Sequence, residues 1–340
     1  MRKTNIKELA KILNFSVATV SKALRDSHEI SEQTKKKVLE AAKEFNYTPN
    51  PYASSLRRKR SKTIAVILPE VADNFFSLAI NGIQSIAEKK GYHVLIYLSH
   101  ENFVIEQSFV EDCRSGRVDG LLISVTSETQ NGAHIQKLLD EKLPVVFFDR
   151  ELESIAAPKV ITNDYECGFN SARLLLERGC QNIRFFSVSS DLAICSKRAE
   201  GFLAALAEAG LPNENAICYF SANDTHTHEH IKEVIANRGT VDGIVASVER
   251  LAIQTYLACH ELGVQIPDEL KVVAFSTVET APILNPSLTT ITQPAFEIGK
   301  NAADILFTLM EGKDYGYTKK PVIIPSVLVE RKSTQNKTGA

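Results

Sequence analysis

Apolar residues along the first 45 positions recur at helical spacing. Ile6, Leu9, Ala10 and Leu13 share one face. Asn5 can cap this helix, with Glu8 three residues on completing a capping box. After the break Asn14-Phe15, Ser16 is a second capping residue. The next helix turns Val20 and Leu24 inward and leaves Val17, Ala18, Thr19, Ser21 and Lys22 outward. A third amphipathic run from Ser31 places Val38, Leu39, Ala42 and Phe45 in a common core. Two short helices and a tight turn predict a helix-turn-helix, whose second helix fits a DNA major groove N-terminus first. Any small helical bundle shares this spacing, so the reading needs further support.

From residue 63 the pattern changes to short apolar runs alternating with helical ones. Strands are expected at 63–68, 93–98, 120–124 and 145–148, then at 183–188, 217–220, 243–246 and 272–275. Helices are expected at 76–90, 104–115, 134–141, 167–178, 197–209, 228–237 and 251–262. This alternation predicts an α/β fold of parallel, doubly wound sheets. A body of 278 residues is long enough for two subdomains. Crossovers between them are expected at 158–163 and 276–292, with a ligand cleft at the carboxyl ends of the strands.

Charge separates the two parts. Residues 1–62 hold 15 Lys+Arg against 6 Asp+Glu, a net of +9, whereas the remaining 278 carry 24 and 35, a net of −11. A basic head on an acidic body points to a polyanion partner for the head. The chain is therefore divided into a head (1–49), a linker (50–62) and a body (63–340). Ser16, Thr19 and Ser21 are hydroxyls suited to phosphate, Lys22 can reach a guanine edge, and Asn5 and Arg25 complete the DNA-facing set on the head.

The linker NPYASSLRRKRSK starts with Asn50, a good N-cap, and Pro51, which suits a first helical position. It is too short and polar to be a stable helix alone. Leu56 stands out, followed by Arg57, Arg58, Lys59 and Arg60. Two readings stay open. In one the linker is solvated and Leu56 packs on a neighbouring domain. In the other the segment folds on DNA, its basic residues bind the backbone and Leu56 wedges between minor-groove base steps, with Asn50, Ala53 and Arg57 in the DNA-binding set.

Several function classes are excluded as expectations. No apolar run approaches the roughly 20 residues of a membrane helix, and the N-terminus is amphipathic rather than signal-like; a cytoplasmic protein without a membrane role is expected. Cys113, Cys167, Cys180, Cys195, Cys218 and Cys259 are scattered without a C-x-x-C pair, as in reduced thiols. His226, His228 and His230 form the sole histidine cluster, read as a solvated loop with adventitious metal binding as the alternative. No glycine-rich phosphate loop follows a strand and no nucleophile elbow appears, so neither a cofactor nor an enzyme activity is expected.

The order VATVSKAL, then FNYTPNPYASSL, then TIAVILPEVADNFF resembles the lactose-repressor (LacI/GalR) family of bacterial transcription regulators over residues 4–332. The resemblance implies a homodimer whose paired heads read a pseudo-palindromic operator, and a periplasmic-binding-protein-like body whose small-molecule effector controls the hinge helices. It assigns base reading to Val17, Ala18 and Lys22 and the minor-groove wedge to Leu56. Lys22 departs from the arginine common in the family and lacks its bidentate fork.

Candidate effector residues are Phe75 and Phe76 after the first strand, Thr126, Asp149 at the end of the fourth, Asp164 at a helix start, Arg198, Glu249 and Ser276. The two phenylalanines can equally pack their helix. Arg198, in RAEGF, resembles the family's effector-touching arginine. Where relatives often carry Asn-Asp and a GFDD-like turn, this chain has Val248-Glu249 and Ser276-Thr277. An acidic Glu249 beside Arg198 would favour a neutral sugar or sugar derivative. The alternative class is a small-molecule binder or enzyme with an incidental head. The C-terminal ERKSTQNKTGA lacks a heptad repeat, so a dimer rather than a tetramer is expected.

Overall fold

Caps and an apolar stripe build the first helices as the spacing predicts. The computed structural model describes residues 4–47, 60–71, 74–220, 226–236, 241–313 and 320–335. The chain divides into two compact units, residues 1–61 and 62–340. Asn50, Ala53, Leu56 and Arg57 lie outside the described residues.

In the first unit, helices α1 (Ile6–Ile12), α2 (Val17–Ala23) and α3 (Glu32–Glu44) follow one another. Asn5 Oδ1 accepts from the amides of Lys7 and Glu8 at 3.0 Å, and Glu8 reaches back to the Asn5 amide, which makes a full capping box. Asn14 turns the chain at φ 51°, a left-handed conformation that asparagine tolerates. Ser16 then caps α2 through the Thr19 amide. Leu9, Val20 and Val38 are fully buried and meet Ala10, Ala23, Ala41 and Ala42. Leu39 (54% exposed) and Phe45 (37%) point outward, against expectation. Ala41 takes the place on α3 that the spacing gave to Leu39.

The second unit contains two six-stranded sheets. β1 (Thr63–Leu68), β2 (His93–Leu98), β3 (Leu121–Ile123), β4 (Val145–Phe148), β5 (Lys159–Ile161) and β11 (Val322–Ile323) form the first, in the order β11-β5-β4-β3-β1-β2, all parallel. The second has the order β12-β10-β9-β8-β6-β7, from β6 (Ile183–Ser187), β7 (Ile217–Tyr219), β8 (Gly243–Ala246), β9 (Lys271–Phe275), β10 (Thr289–Thr292) and β12 (Val327–Val329). It is parallel except for the β10–β12 pair.

Helices cover both faces of each sheet. In β1, Ile64, Val66 and Leu68 face α4 (Asn74–Lys90) and α11 (Ala295–Met310). Ala65 and Ile67 face the side of α5 (Phe103–Asp112) and α6 (Ala133–Asp140). Burial on both faces is why the strand reads TIAVIL without alternation. In the second sheet, Val273 and Phe275 pack toward α7 (Asp164–Glu177) and α8 (Ala193–Glu208). Val272 and Ala274 pack toward α9 (Thr227–Ala236) and α10 (Glu249–Leu262).

Among the described residues the chain crosses between subdomains three times: at 162–163, inside the expected 158–163, then at 293–294, just beyond the expected 276–292, and a third time, not expected, at 324–326. The segment 276–292 stays within the second subdomain and contains β10, and the crossing follows it. The apolar run 321–329, whose sequence reads as one strand, is split between the two sheets. Helix α11, unread in the sequence, returns to the first subdomain and lies against α4. A Cβ on Gly82 would sit 2.1 Å from the Phe296 carbonyl oxygen, and one on Gly299 would sit 2.0 Å from that of Ala79. Gly168 and Gly201 give α7 and α8 the same close approach, at 1.9 Å from the carbonyl oxygens of Arg198 and Tyr165.

Candidate functional site

On the head, the polar residues of α2 are pre-engaged. The Ser16 and Thr19 hydroxyls bond each other at 2.8 Å. Arg25 folds back on Ser21, donating to its carbonyl at 2.8 Å and its hydroxyl at 2.9 Å. Lys22 pairs with Glu29. Ala18 is exposed, and Val17, Thr19, Ser21 and Lys22 are half-buried. Asn5 spends its side chain on the α1 cap. Ala18 and Lys22 stand on the outer face of α2, while Val20 and Ala23 hold that helix to the core; Val17, expected outward, is half-buried and packs against the same core.

In the body, a cavity of about 400 Å³, counting the part open to solvent, lies between the two subdomains. Phe75, Phe76, Asp149 and Arg150 line it from the first subdomain. Arg198, Glu249 and Ser276 line it from the second, with Val248 and Thr277. The carboxyl ends of β4, β8 and β9 feed the wall, as strand-end loops of a parallel sheet do. Ile194, Ser247, Phe275 and Gln293 also line it and were not read from the sequence. Gln293 lies on the second crossing, which only the fold brings to the cleft.

Arg198 is the most constrained of these groups. Its side chain is 2% exposed. Nε donates to Asp164 Oδ1 at 2.7 Å and Nη1 to the Ser247 carbonyl at 2.7 Å, while the guanidinium lies 4.1 Å from the Phe275 ring centre. Burial works against its charge, but Asp164 and Asp149 outweigh that effect and hold its pKa above the usual arginine value. Nη2 is buried without a hydrogen-bond partner among the described residues, as are Arg150 Nε, Gln293 Nε2 and Ser247 Oγ. Leaving such groups unbonded costs roughly 1–3 kcal/mol each.

Acidic groups face these donors. Glu249 accepts from the Ser276 hydroxyl at 2.8 Å. Asp149 is buried at φ 60° and stands 3.9 Å from Arg150 Nε. Arg150 donates to Glu101 at 2.7 Å. Asp164 sits behind Arg198 as its counter-ion and does not line the cavity. Phe75 and Phe76 are 5% and 3% exposed and meet edge-to-face at 5.3 Å, with Phe76 also against Phe148. They form wall and core together.

Thr126 is placed elsewhere. It is buried beside Glu106, which accepts from the Thr126 amide at 2.7 Å, from Thr129 at 2.9 Å and bonds His134 at 2.8 Å. That network braces the loop after β3. The histidine cluster is likewise no solvated loop: His228 lies in α9 and bonds Gln254 and Glu261, and the ring of His230 lies 5.1 Å from that of Phe220.

Asn74 and Lys197 tie the subdomains beside the cavity. Asn74 Nδ2 donates to the Thr277 carbonyl at 2.5 Å, and Lys197 reaches Glu151 and Glu153 at 3.2 Å. No helix among the described residues is long and apolar enough to cross a membrane.

Comparison with known proteins matches the head and the body to separate family models. Residues 5–50 match the model of bacterial regulatory proteins of the lacI family, and residues 61–332 match periplasmic binding proteins and sugar-binding domains of the LacI family. The chain is 29% identical over 334 residues to the HTH-type transcriptional repressor PurR of Photobacterium profundum, covering 97% of this chain and 98% of that protein. Its fold is similar to that of the lac repressor dimer bound to operator and the anti-inducer ONPF (TM-score 0.85, 22% identity, 98% and 100% of the two chains). It is also similar to that of the regulator CelR in complex with cellobiose (TM-score 0.73, 20% identity, 97% and 99%). With one family model spanning most of the body and the other the head, the chain belongs to the LacI family of bacterial regulatory proteins.

Proposed function

We propose that this ligand-regulated transcriptional repressor acts as a homodimer on a two-fold-symmetric operator, and that its effector is a small neutral sugar or sugar derivative held between the subdomains. The observation that carries the effector reading is the set of buried donors without acceptors, Arg198 Nη2, Arg150 Nε and Gln293 Nε2, facing the carboxylates Asp149 and Glu249 across one cavity. A polyol supplies both acceptors and donors in one compact molecule. An added anionic group would meet Asp149 and Glu249, with Asp164 and Glu101 already beside the two arginines. The cellobiose-bound neighbour supports the same class.

A ligand shifts operator affinity only if it favours one arrangement of the subdomains. Its test is a thermal-shift screen of neutral sugars, sugar acids and sugar phosphates, repeated with Gln293→Ala. Stabilisation by a neutral sugar that falls about tenfold in affinity in the variant, the loss of roughly 1.4 kcal/mol expected for a donor in a buried site, supports the reading. Hits confined to anionic sugars, or hits indifferent to Gln293, overturn it.

A further inference from the structure

We propose that Glu29 is a specificity-determining residue of the head, acting with Lys22 as one donor–acceptor pair that reads a single G·C base pair across the major groove. This rests on the reading of α2 as the helix that meets operator DNA. Lys22 lies in the last turn of that helix, and its ammonium is bonded to the carboxylate of Glu29, seven residues on in the turn before α3. Both side chains are about half exposed, 42% and 53%, so the pair lies on the head's surface rather than in its core. The hydrogen bond from Lys22 holds the Glu29 carboxyl below the usual carboxylate range, keeping it ionised. The neighbouring cation Arg25 is turned back onto Ser21, so Lys22 is the cation of α2 that meets a carboxylate.

A carboxylate at a surface that approaches phosphates weakens binding to every DNA sequence. A base contact that only some sequences offer offsets that loss. Guanine presents two acceptors, O6 and N7, and its paired cytosine presents the N4 amino donor. An ammonium has three donors, one given to Glu29, which leaves two for guanine. The carboxylate has Oε2 on Lys22 and keeps Oε1 to accept from cytosine N4. At an A·T pair the carboxylate would instead meet the thymine O4 acceptor and methyl group, and repulsion there rejects the pair.

The test uses the full-length chain. A preferred duplex is selected from a random library with the wild type. Affinities are then measured for that duplex, its single-base-pair variants and an unrelated duplex, using wild type, Glu29→Gln, Glu29→Asp and Lys22→Ala. Glu29→Gln should bind the unrelated duplex several-fold more tightly. It should also lose about tenfold discrimination at one G·C pair per half-site, the pair at which Lys22→Ala loses it too. Glu29→Asp, which keeps the charge but shortens the reach, should keep weak binding to unrelated DNA and lose the same preference. If Glu29→Gln tightens all duplexes equally, or Glu29→Asp keeps the full preference, Glu29 has no reading role. If the wild type selects no sequence, the operator-reading head itself is overturned, which is a different failure.

Discussion

Glu101 shows how one carboxylate steadies the cleft from behind. Burial pushes its pKa up, but Arg150 and the Ser127 amide outweigh burial and hold it below the ordinary glutamate value. A depressed folded-state pKa means that the stabilisation is fully present above the unfolded value and is lost as pH falls through the folded one. Glu101→Gln should therefore cost about 1–2 kcal/mol at neutral pH, and should flatten the loss of stability that the wild type shows below about pH 4.5. Parallel acid-unfolding curves for the two proteins would sink the assignment. Glu101, Arg150 and Ser127 are brought together by three separate loops, and no spacing in the chain announces them. Phe75 and Phe76 were legible because they open a helix whose pattern was clear, Asp149 because it follows the end of a clear strand, and Arg198 through the RAEGF resemblance. Thr126 also follows a clear strand, yet its loop folds onto Glu106, a buried acid 20 positions away whose need for donors outranks the cleft.

At the scale of elements, two helix pairs depend on the absence of a side chain. Gly168→Ala would drive a Cβ to 1.9 Å from the backbone of Arg198, and Gly82→Ala would bring one to 2.1 Å from that of Phe296. Neither obstacle is a flexible side-chain tip. Each substitution should cost about 1–3 kcal/mol by overpacking and lower the melting temperature by roughly 2–4 °C per kcal/mol. Gly168→Ala should also loosen effector binding, because the displaced backbone carries Arg198. Gly91→Asn is the control, since Gly91 has φ 66° with open space around it and asparagine accepts that conformation. Unchanged melting in both alanine variants would mean that the helices separate easily. The long strands and their helices were readable from apolar runs and periodicity. β5 and β10 have three and four residues and were not read as strands; β11 and β12 showed only as one strand-like run, because its division between two sheets is set by pairing with distant strands.

At the scale of the molecule, each sheet of the body ends in a strand that leaves apolar surface exposed. β2 exposes Leu95 and Ile96, the helix after it exposes Val104 at 69% and Ile105 at 36%, and at the corresponding edge of the second sheet β7 exposes Tyr219 at 52%. A second copy related by a two-fold axis would cover both edges at once, in the symmetry that a two-fold operator requires. Sedimentation at micromolar concentration should give a dimer, and Ile96→Glu with Val104→Glu should shift it toward monomer while weakening operator binding through lost avidity. A monomeric or tetrameric wild type would contradict this arrangement. The charge split of the chain was plain in its composition; the two exposed edges became visible only once strand order was known.

The threefold crossing of the chain also sets a timetable for its synthesis. The first sheet begins with residue 63, yet its core includes Ile298, Ala302 and Leu306 from α11, and its last strand is β11. The second sheet takes its last strand from residues 327–329. A ribosome has thus passed residue 320 before either half can close. Until then Phe76, Ile83 and Ile86 have no cover from α11, and β5 and β10 present open edges of the kind that invite wrong pairing. A chain broken off just before residue 295 would be left with two unfinished halves rather than one complete subdomain and one missing.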